Sequence, residues 1–138
     1  MKILNHSGPE REIWREGVEV QMRNSSLNGS RSICIFEQFI VPGEGAPVHY
    51  HAVEEVFEVR EGMAEVYLTD RTLTMETNQT LLIPPGLRHG FKNIGTGTLH
   101  MRATLASPSF EAAYDDETEV ARRWVLQEHQ TTPNMNGR

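Results

Sequence analysis

The stretch Pro42-Gly-Glu-Gly-Ala-Pro-Val-His49-Tyr-His51-Ala-Val-Glu-Glu55-Val-Phe-Glu-Val59-Arg-Glu-Gly62 decides how this chain is read. Turn formers at 42–47 give way to a His-x-His pair, and Glu55-Val-Phe-Glu-Val59 then alternates polar and apolar up to a second turn at Arg60-Glu-Gly62. On an extended strand, residues i and i+2 face the same side, so His49 and His51 aim two imidazoles at one point. Glu54 and Glu55 offer carboxylates at the opening of the next strand.

Working outward, the chain from Trp14 to about Leu105 is a series of short apolar or alternating runs broken by Gly, Pro, Asn and Asp, the pattern of an all-β sandwich or barrel. Strands are predicted at 18–23, 32–41, 55–60, 64–68, 80–83, 90–93 and 98–105. The turns between them include Asn24-Ser-Ser-Leu-Asn-Gly-Ser30, Pro84-Pro-Gly86 and Asn93-Ile-Gly-Thr-Gly97. No β–α–β alternation occurs, which disfavours a doubly wound parallel sheet. After Leu105 the pattern changes. Ser107-Pro108 reads as a helix N-cap followed by proline at the first helical position, with Phe110, Ala113 and Tyr114 behind it. Acids at 115–119 precede an apolar stripe of Val120, Ala121, Trp124 and Val125. One or two short C-terminal helices are therefore predicted, packed on the β-domain, with a polar tail at 131–138.

At 138 residues the chain has the length of one domain, assigned to 1–130 with a barrel core at about 32–106. Its 13 Lys and Arg against 19 Asp and Glu give a net charge of -6, without the basic cluster a phosphate backbone requires, so nucleic acid is not the expected partner. Neither a secretory leader nor a membrane span is visible, and a cytoplasmic protein without a membrane partner is expected. The one cysteine, Cys34, sits in Ile33-Cys-Ile-Phe36 and reads as a small buried hydrophobe. Any metal must therefore be held by imidazole and carboxylate.

The six histidines are His6, His49, His51, His89, His100 and His129. A hairpin behind Pro84-Pro-Gly86-Leu-Arg could bring His89 up to the His49/His51 pair. Three nitrogens and one carboxylate suit a divalent first-row transition metal. In Thr98–Leu105, if Leu99, Met101, Ala103 and Leu105 face the cavity, then His100, Arg102 and Thr104 face outward. That register is the expected one; the opposite register would put His100 and Arg102 in the pocket. Tyr50 and Arg88 are expected to point away from the histidines beside them, and His6 and His129 carry no supporting pattern.

Gly43-x5-His49-x-His51-x3-Glu55-x6-Gly62 resembles the first motif of the cupin superfamily at every fixed position. Asn78-x5-Pro84-x-Gly86-x2-His89-x3-Asn93 resembles the second motif at all but its first, where Asn78 stands in place of the usual glycine. Asn tolerates the left-handed turn best among non-glycine residues, so the turn is expected to survive. The segment between the motifs is short, as in small single-domain microbial cupins. The resemblance implies a double-stranded β-helix, or jelly-roll barrel. It also implies His49, His51, Glu55 and His89 as ligands of one divalent ion, Fe, Mn, Ni or Zn, and its spacing selects Glu55 over Glu54.

A four-ligand set leaves an octahedral ion two open positions. The expectation is a metalloenzyme with dioxygenase-like oxidoreductase activity on a small, partly hydrophobic organic substrate, with Glu55 as the proton-transfer group. The alternatives are a non-redox isomerase, cyclase or lyase on the same site, or a ligand-sensing module. The pocket is expected to be lined by Phe57, Val59, Phe91 and either Ile35 or Phe36, with few polar anchors. The segment Ile13-Trp-Arg-Glu-Gly-Val-Glu-Val20 has the apolar content to pair two copies by an edge strand, so a homodimer is expected.

Overall fold

Period-two alternation gives each sheet a dry and a wet face. In Leu99–Leu105, Leu99, Met101, Ala103 and Leu105 are buried, while His100, Arg102 and Thr104 lie half-exposed on the outside. Glu55, Phe57 and Val59 turn inward by the same rhythm. The structure is a computed structural model, and it describes residues 1–115 and 120–126. Its described strands form two six-stranded sheets. The first runs, in spatial order, β1 (Glu12–Arg15), β2 (Val18–Asn24), β3 (Cys34–Ile40), β10 (Leu99–Leu105), β5 (Glu55–Glu61) and β8 (Gln79–Ile83). The second runs β12 (Ala121–Arg123), β11 (Phe110–Tyr114), β4 (Gly45–Tyr50), β9 (His89–Asn93), β6 (Met63–Leu68) and β7 (Thr72–Glu76). The pairings are antiparallel, and the two sheets make the jelly-roll barrel that the motifs imply.

Between the sheets lies the core, with Val20, Phe36, Ile40, Phe57 and Met101 from the first sheet meeting Ala64, Val66, Phe91 and Ala112 from the second. Burial of this apolar surface is the main force closing the barrel. Cys34 belongs to it at 0% exposure, and desolvation pushes its thiol up to about 12, which makes it a packing residue. Asn78 holds φ 72°, so the left-handed turn survives without glycine. Gly62 needs its freedom twice over: φ is 98°, and a Cβ there would come within 3.1 Å of the Leu99 Cα. Asn93, closing the second motif, is buried. Its amide donates to Ile40 O and Gly97 O at 2.9 Å, and its Oδ1 accepts from the Gly95 amide at 2.8 Å, tying the 93–97 turn to the end of β3.

The C-terminal helices predicted from Ser107-Pro108 and from the stripe at 120–125 do not form among the described residues, whose helical content is one 3₁₀ turn at Ser26–Asn28. Phe110, Ala112 and Tyr114 are instead buried at period two in β11, which pairs with β4 through Ala113↔Tyr50 and Tyr114↔His49. The open edge of β4 needs backbone partners, and that demand overrides the local N-cap signal. Ala121–Arg123 then pairs with β11 as β12. Acids 116–119, His129 and the polar tail at 131–138 lie outside the described residues.

Candidate metal centre

Three strand ends meet at one end of the barrel interior. His49 lies near the end of β4, with His51 just beyond it; Glu55 opens β5 and His89 opens β9. His49 and His89 are cross-strand partners. Their placement depends on a bulge. β4 pairs Gly45↔Lys92 and Ala46↔Phe91, but then His49↔His89, so β4 carries one residue more than β9 across this interval. Pro47, which has no N–H to give a ladder, sits inside the bulge. The extra residue turns both Ala46 and His49 into the cavity, although an odd separation would put them on opposite faces of a regular strand. Gly45 permits the close crossing, since a Cβ there would lie 1.9 Å from Phe91 O.

One donor atom each from His49, His51, Glu55 and His89 lies within 4.8 Å of the other three, and all four residues are buried. This is the set that the sequence singles out. Glu54, the competing carboxylate, is exposed. Each imidazole is fixed from behind by a backbone carbonyl: His49 Nδ1 to Pro47 O at 2.8 Å, His51 Nδ1 to Glu111 O at 2.7 Å, and His89 Nδ1 to Leu87 O at 2.8 Å. A carbonyl only accepts, so each Nδ1 carries a proton and donates it, which turns Nε2 toward the cluster, where that of His51 and of His89 meets Glu55 and each would be the atom to ligate a bound ion. The His51 carbonyl is itself held by the Gly86 amide at 2.8 Å, which explains the second motif's glycine turn.

The electrostatics of the cluster favour a cation. His51 Nε2 and His89 Nε2 approach Glu55 Oε1 at 3.2 and 3.1 Å, so two imidazole nitrogens converge on one carboxylate oxygen. Burial alone would raise Glu55, but hydrogen bonds from His51 and His89 and their charge outweigh it and hold the carboxyl well below its usual range. Desolvation, with His89 and His51 alongside, lowers His49 to about 4, so its ring is neutral and ready to ligate at pH 7. Burial opposes charge on His51 as well, but its hydrogen bond to Glu55 and the carboxylate's charge prevail and raise it. Three outward-braced imidazoles and a buried carboxylate fit a divalent first-row ion.

The cavity in front of the cluster has aromatic walls, from Trp14, Phe36, Phe57, Phe91 and Phe110, with Arg15, Gln38 and Tyr114 as further polar groups. The free space is about 20 Å³, room for one water-sized species. Phe36, Phe57 and Phe91 line it as predicted. Val59 is buried in the core, away from the cavity wall, and Ile35 turns outward. His100 and Arg102 are outside: His100 hydrogen-bonds Glu37 and stacks on Phe39, while Arg102 pairs with Glu58 at 3.3 Å. Arg88 points to Asp115 at 3.0 Å and lies over the Tyr50 ring. Sequence reading missed Trp14, Arg15, Gln38, Phe110 and Tyr114 as cavity residues. Gln38 was within reach of it, being two residues from Phe36 on the same face of β3.

Residues 36–105 match the family described as Cupin domain. Auxin-binding protein 1 of Arabidopsis thaliana is 28% identical over 119 residues, covering 78% of this chain and 60% of that protein. Polyketide synthase CurC of Streptomyces cyaneus is 44% identical over 55 residues, 39% of this chain and 36% of that one. The chain thus spans less than two thirds of either relative's length. Among solved structures, the polyketide cyclase RemF of Streptomyces resistomycificus superposes with a TM-score of 0.70 at 20% identity, over 96% of this chain and 94% of that one, a likeness of fold.

Proposed function

The chain belongs to the cupin domain family, and on that premise we propose that it is a metal-dependent enzyme promoting a non-redox ring closure or isomerisation of a small, carbonyl-rich organic substrate. The observation that carries this reading is the convergence of four buried donors at the base of an aromatic-walled cavity. Local similarity to CurC and full-length likeness of fold to RemF favour carbonyl chemistry over the dioxygenase expectation. A divalent ion held by His49, His51, Glu55 and His89 would supply Lewis acidity toward a carbonyl oxygen. The chain's own contribution is to hold the rings by their Nδ1 atoms, to exclude bulk water with Trp14 and Phe110, and to present an aromatic wall for a flat substrate. Glu55 is the carboxylate among the lining residues and is assigned proton transfer.

The test is reconstitution of metal-stripped protein with Zn(II), Ni(II), Mn(II) or Fe(II), followed by assay of a poly-β-ketone for ring closure with and without dioxygen. The expected result is metal-dependent product formation at the same rate in both atmospheres. Dioxygen uptake in step with product would move the assignment to the oxygenase, and tight ligand binding without turnover would move it to a sensor. Full activity of a metal-replete Glu55→Gln protein would remove the proton-transfer role.

No described helix is long and apolar enough to cross a membrane. β1 is an outer strand of its sheet and leaves Ile13 77% exposed, which supports the expected homodimer through paired edges. Sedimentation at micromolar concentration should give twice the chain mass, and a monomer would end that reading.

A further inference from the structure

Of the three polar groups in the cavity wall besides the candidate ligands, Gln38 and Arg15 are the two that carry nitrogen donors. Gln38 projects inward from β3, is 6% exposed, and lines the cavity. Among the described residues its side-chain amide has no hydrogen-bond partner. A buried amide so placed loses its hydration and gains nothing back, which marks a position awaiting a ligand or an ordered water.

The second group is Arg15. β1 pairs with β2 through Glu12↔Val20 and Ile13↔Glu19 and then Arg15↔Val18, so Trp14 is an extra residue in a bulge. In a regular strand Trp14 and Arg15 would face opposite ways. Here Ile13 is exposed and both following side chains line the cavity. A bulge beside a cavity re-aims side chains, and this one delivers a guanidinium to an aromatic-walled space. Arg23, Arg88, Arg102 and Arg122 each hold a carboxylate within 3.3 Å. Arg15 has no ion pair among the described residues; it donates instead to the Tyr114 hydroxyl at 3.1 Å. The Tyr114 ring lies 5.2 Å from His49, which links this group to the metal ligands.

We propose that Arg15 and Gln38 form an anion subsite of the same cavity, which binds a carboxylate or enolate oxygen of the substrate while another oxygen of that substrate approaches the metal ligands. The proposal rests on the metalloenzyme reading for the second contact alone; the subsite belongs to the chain itself. A planar guanidinium gives two parallel N–H donors to a carboxylate, and the Gln38 amide adds a donor from the first sheet. The free space holds one water, so a larger anion has to displace side chains of the wall, with Arg15 exchanging the neutral Tyr114 oxygen for a charged one.

The experiment is isothermal titration of salicylate and of salicylamide, which share ring and hydroxyl but differ in charge, into Zn(II)-loaded and metal-free protein. Zinc stoichiometry is measured separately. The unmodified chain should bind salicylate at least tenfold tighter than salicylamide. Arg15→Gln should erase that preference by weakening salicylate alone, with zinc content unchanged; Arg15→Lys should restore part of it, and Gln38→Leu should weaken salicylate several-fold. Circular dichroism melting identifies any variant that fails to fold, and Arg15→Lys then carries the test. Failure to hold zinc sinks the metalloenzyme reading, whereas an Arg15-dependent preference persisting in metal-free protein still supports the subsite. No salicylate binding at millimolar concentration, equal affinity for the two ligands, or equal weakening of both by Arg15→Gln would overturn it.

Discussion

If the four donors hold an ion as proposed, His49→Ala should abolish its binding in an otherwise folded barrel, with affinity falling more than about 100-fold. Disturbing groups that merely orient a metal ligand typically costs about 10–100-fold, and His49 is itself one of the four donors. Its ring is buried, lowered to about 4 and braced at Nδ1 by Pro47 O, so no proton has to be displaced before it ligates at pH 7. Alanine removes the donor and leaves three, with an opening where the ring stood. Elemental analysis of protein purified without added metal should give close to one ion per chain for the unmodified protein and a trace for the variant. Melting supplies a second readout, because metal at 100-fold excess over Kd stabilises the native state by about 2.7 kcal/mol. A chelator should lower the melting temperature of the unmodified chain and leave that of His49→Ala in place. Stoichiometric metal in the variant, or a chelator without effect on the unmodified chain, would contradict the assignment.

Phe36→Ala should be the most destabilising single truncation in the barrel, at about 3–5 kcal/mol. The ring is 2% exposed and sits among Trp14, Phe110 and Trp124 at centroid distances of 5.6, 5.7 and 5.3 Å. It therefore joins β1, β11 and the segment after β12 around one side chain of β3. Truncation leaves a void too well framed to collapse, and each lost aromatic pair adds about 0.5–1.5 kcal/mol beyond area burial. The effect should also reach the cavity, since Phe36 lines it and Trp14, which packs on Phe36, shares the bulge with Arg15. Urea unfolding followed by circular dichroism measures it, with a lower midpoint and an unchanged slope. A loss below about 1 kcal/mol would mean the aromatic cluster is dispensable, contrary to normal core behaviour.

Part of the candidate metal set was readable locally. His49 and His51 are two residues apart in the chain, the resemblance to the first cupin motif selected Glu55 over Glu54, and the alternation of Leu99–Leu105 predicted that His100 and Arg102 lie outside. The left-handed turn at Asn78 was equally visible, because φ preference belongs to the residue itself. Ser107-Pro108 misled for the complementary reason. An N-cap signal is a few residues long, and it lost to the backbone demand of β4, a strand roughly sixty residues earlier.

The amino-acid sequence by itself determined the β class and the inward faces of the central strands, which rest on period-two alternation, while its resemblance to the cupin motifs pointed to the four candidate donors. Only the tertiary structure decided which further groups reach the donors. Trp14 and Arg15 enter the cavity through a bulge defined by pairing with β2, and His49 is aimed by another defined by pairing with β9. Tyr114 arrives because β11 closes the edge of β4. A bulge is a mismatch between two strands, so a residue such as Pro47 can permit one but neither strand alone fixes where it falls, and the polar chemistry around the candidate ligands is set by cross-strand register.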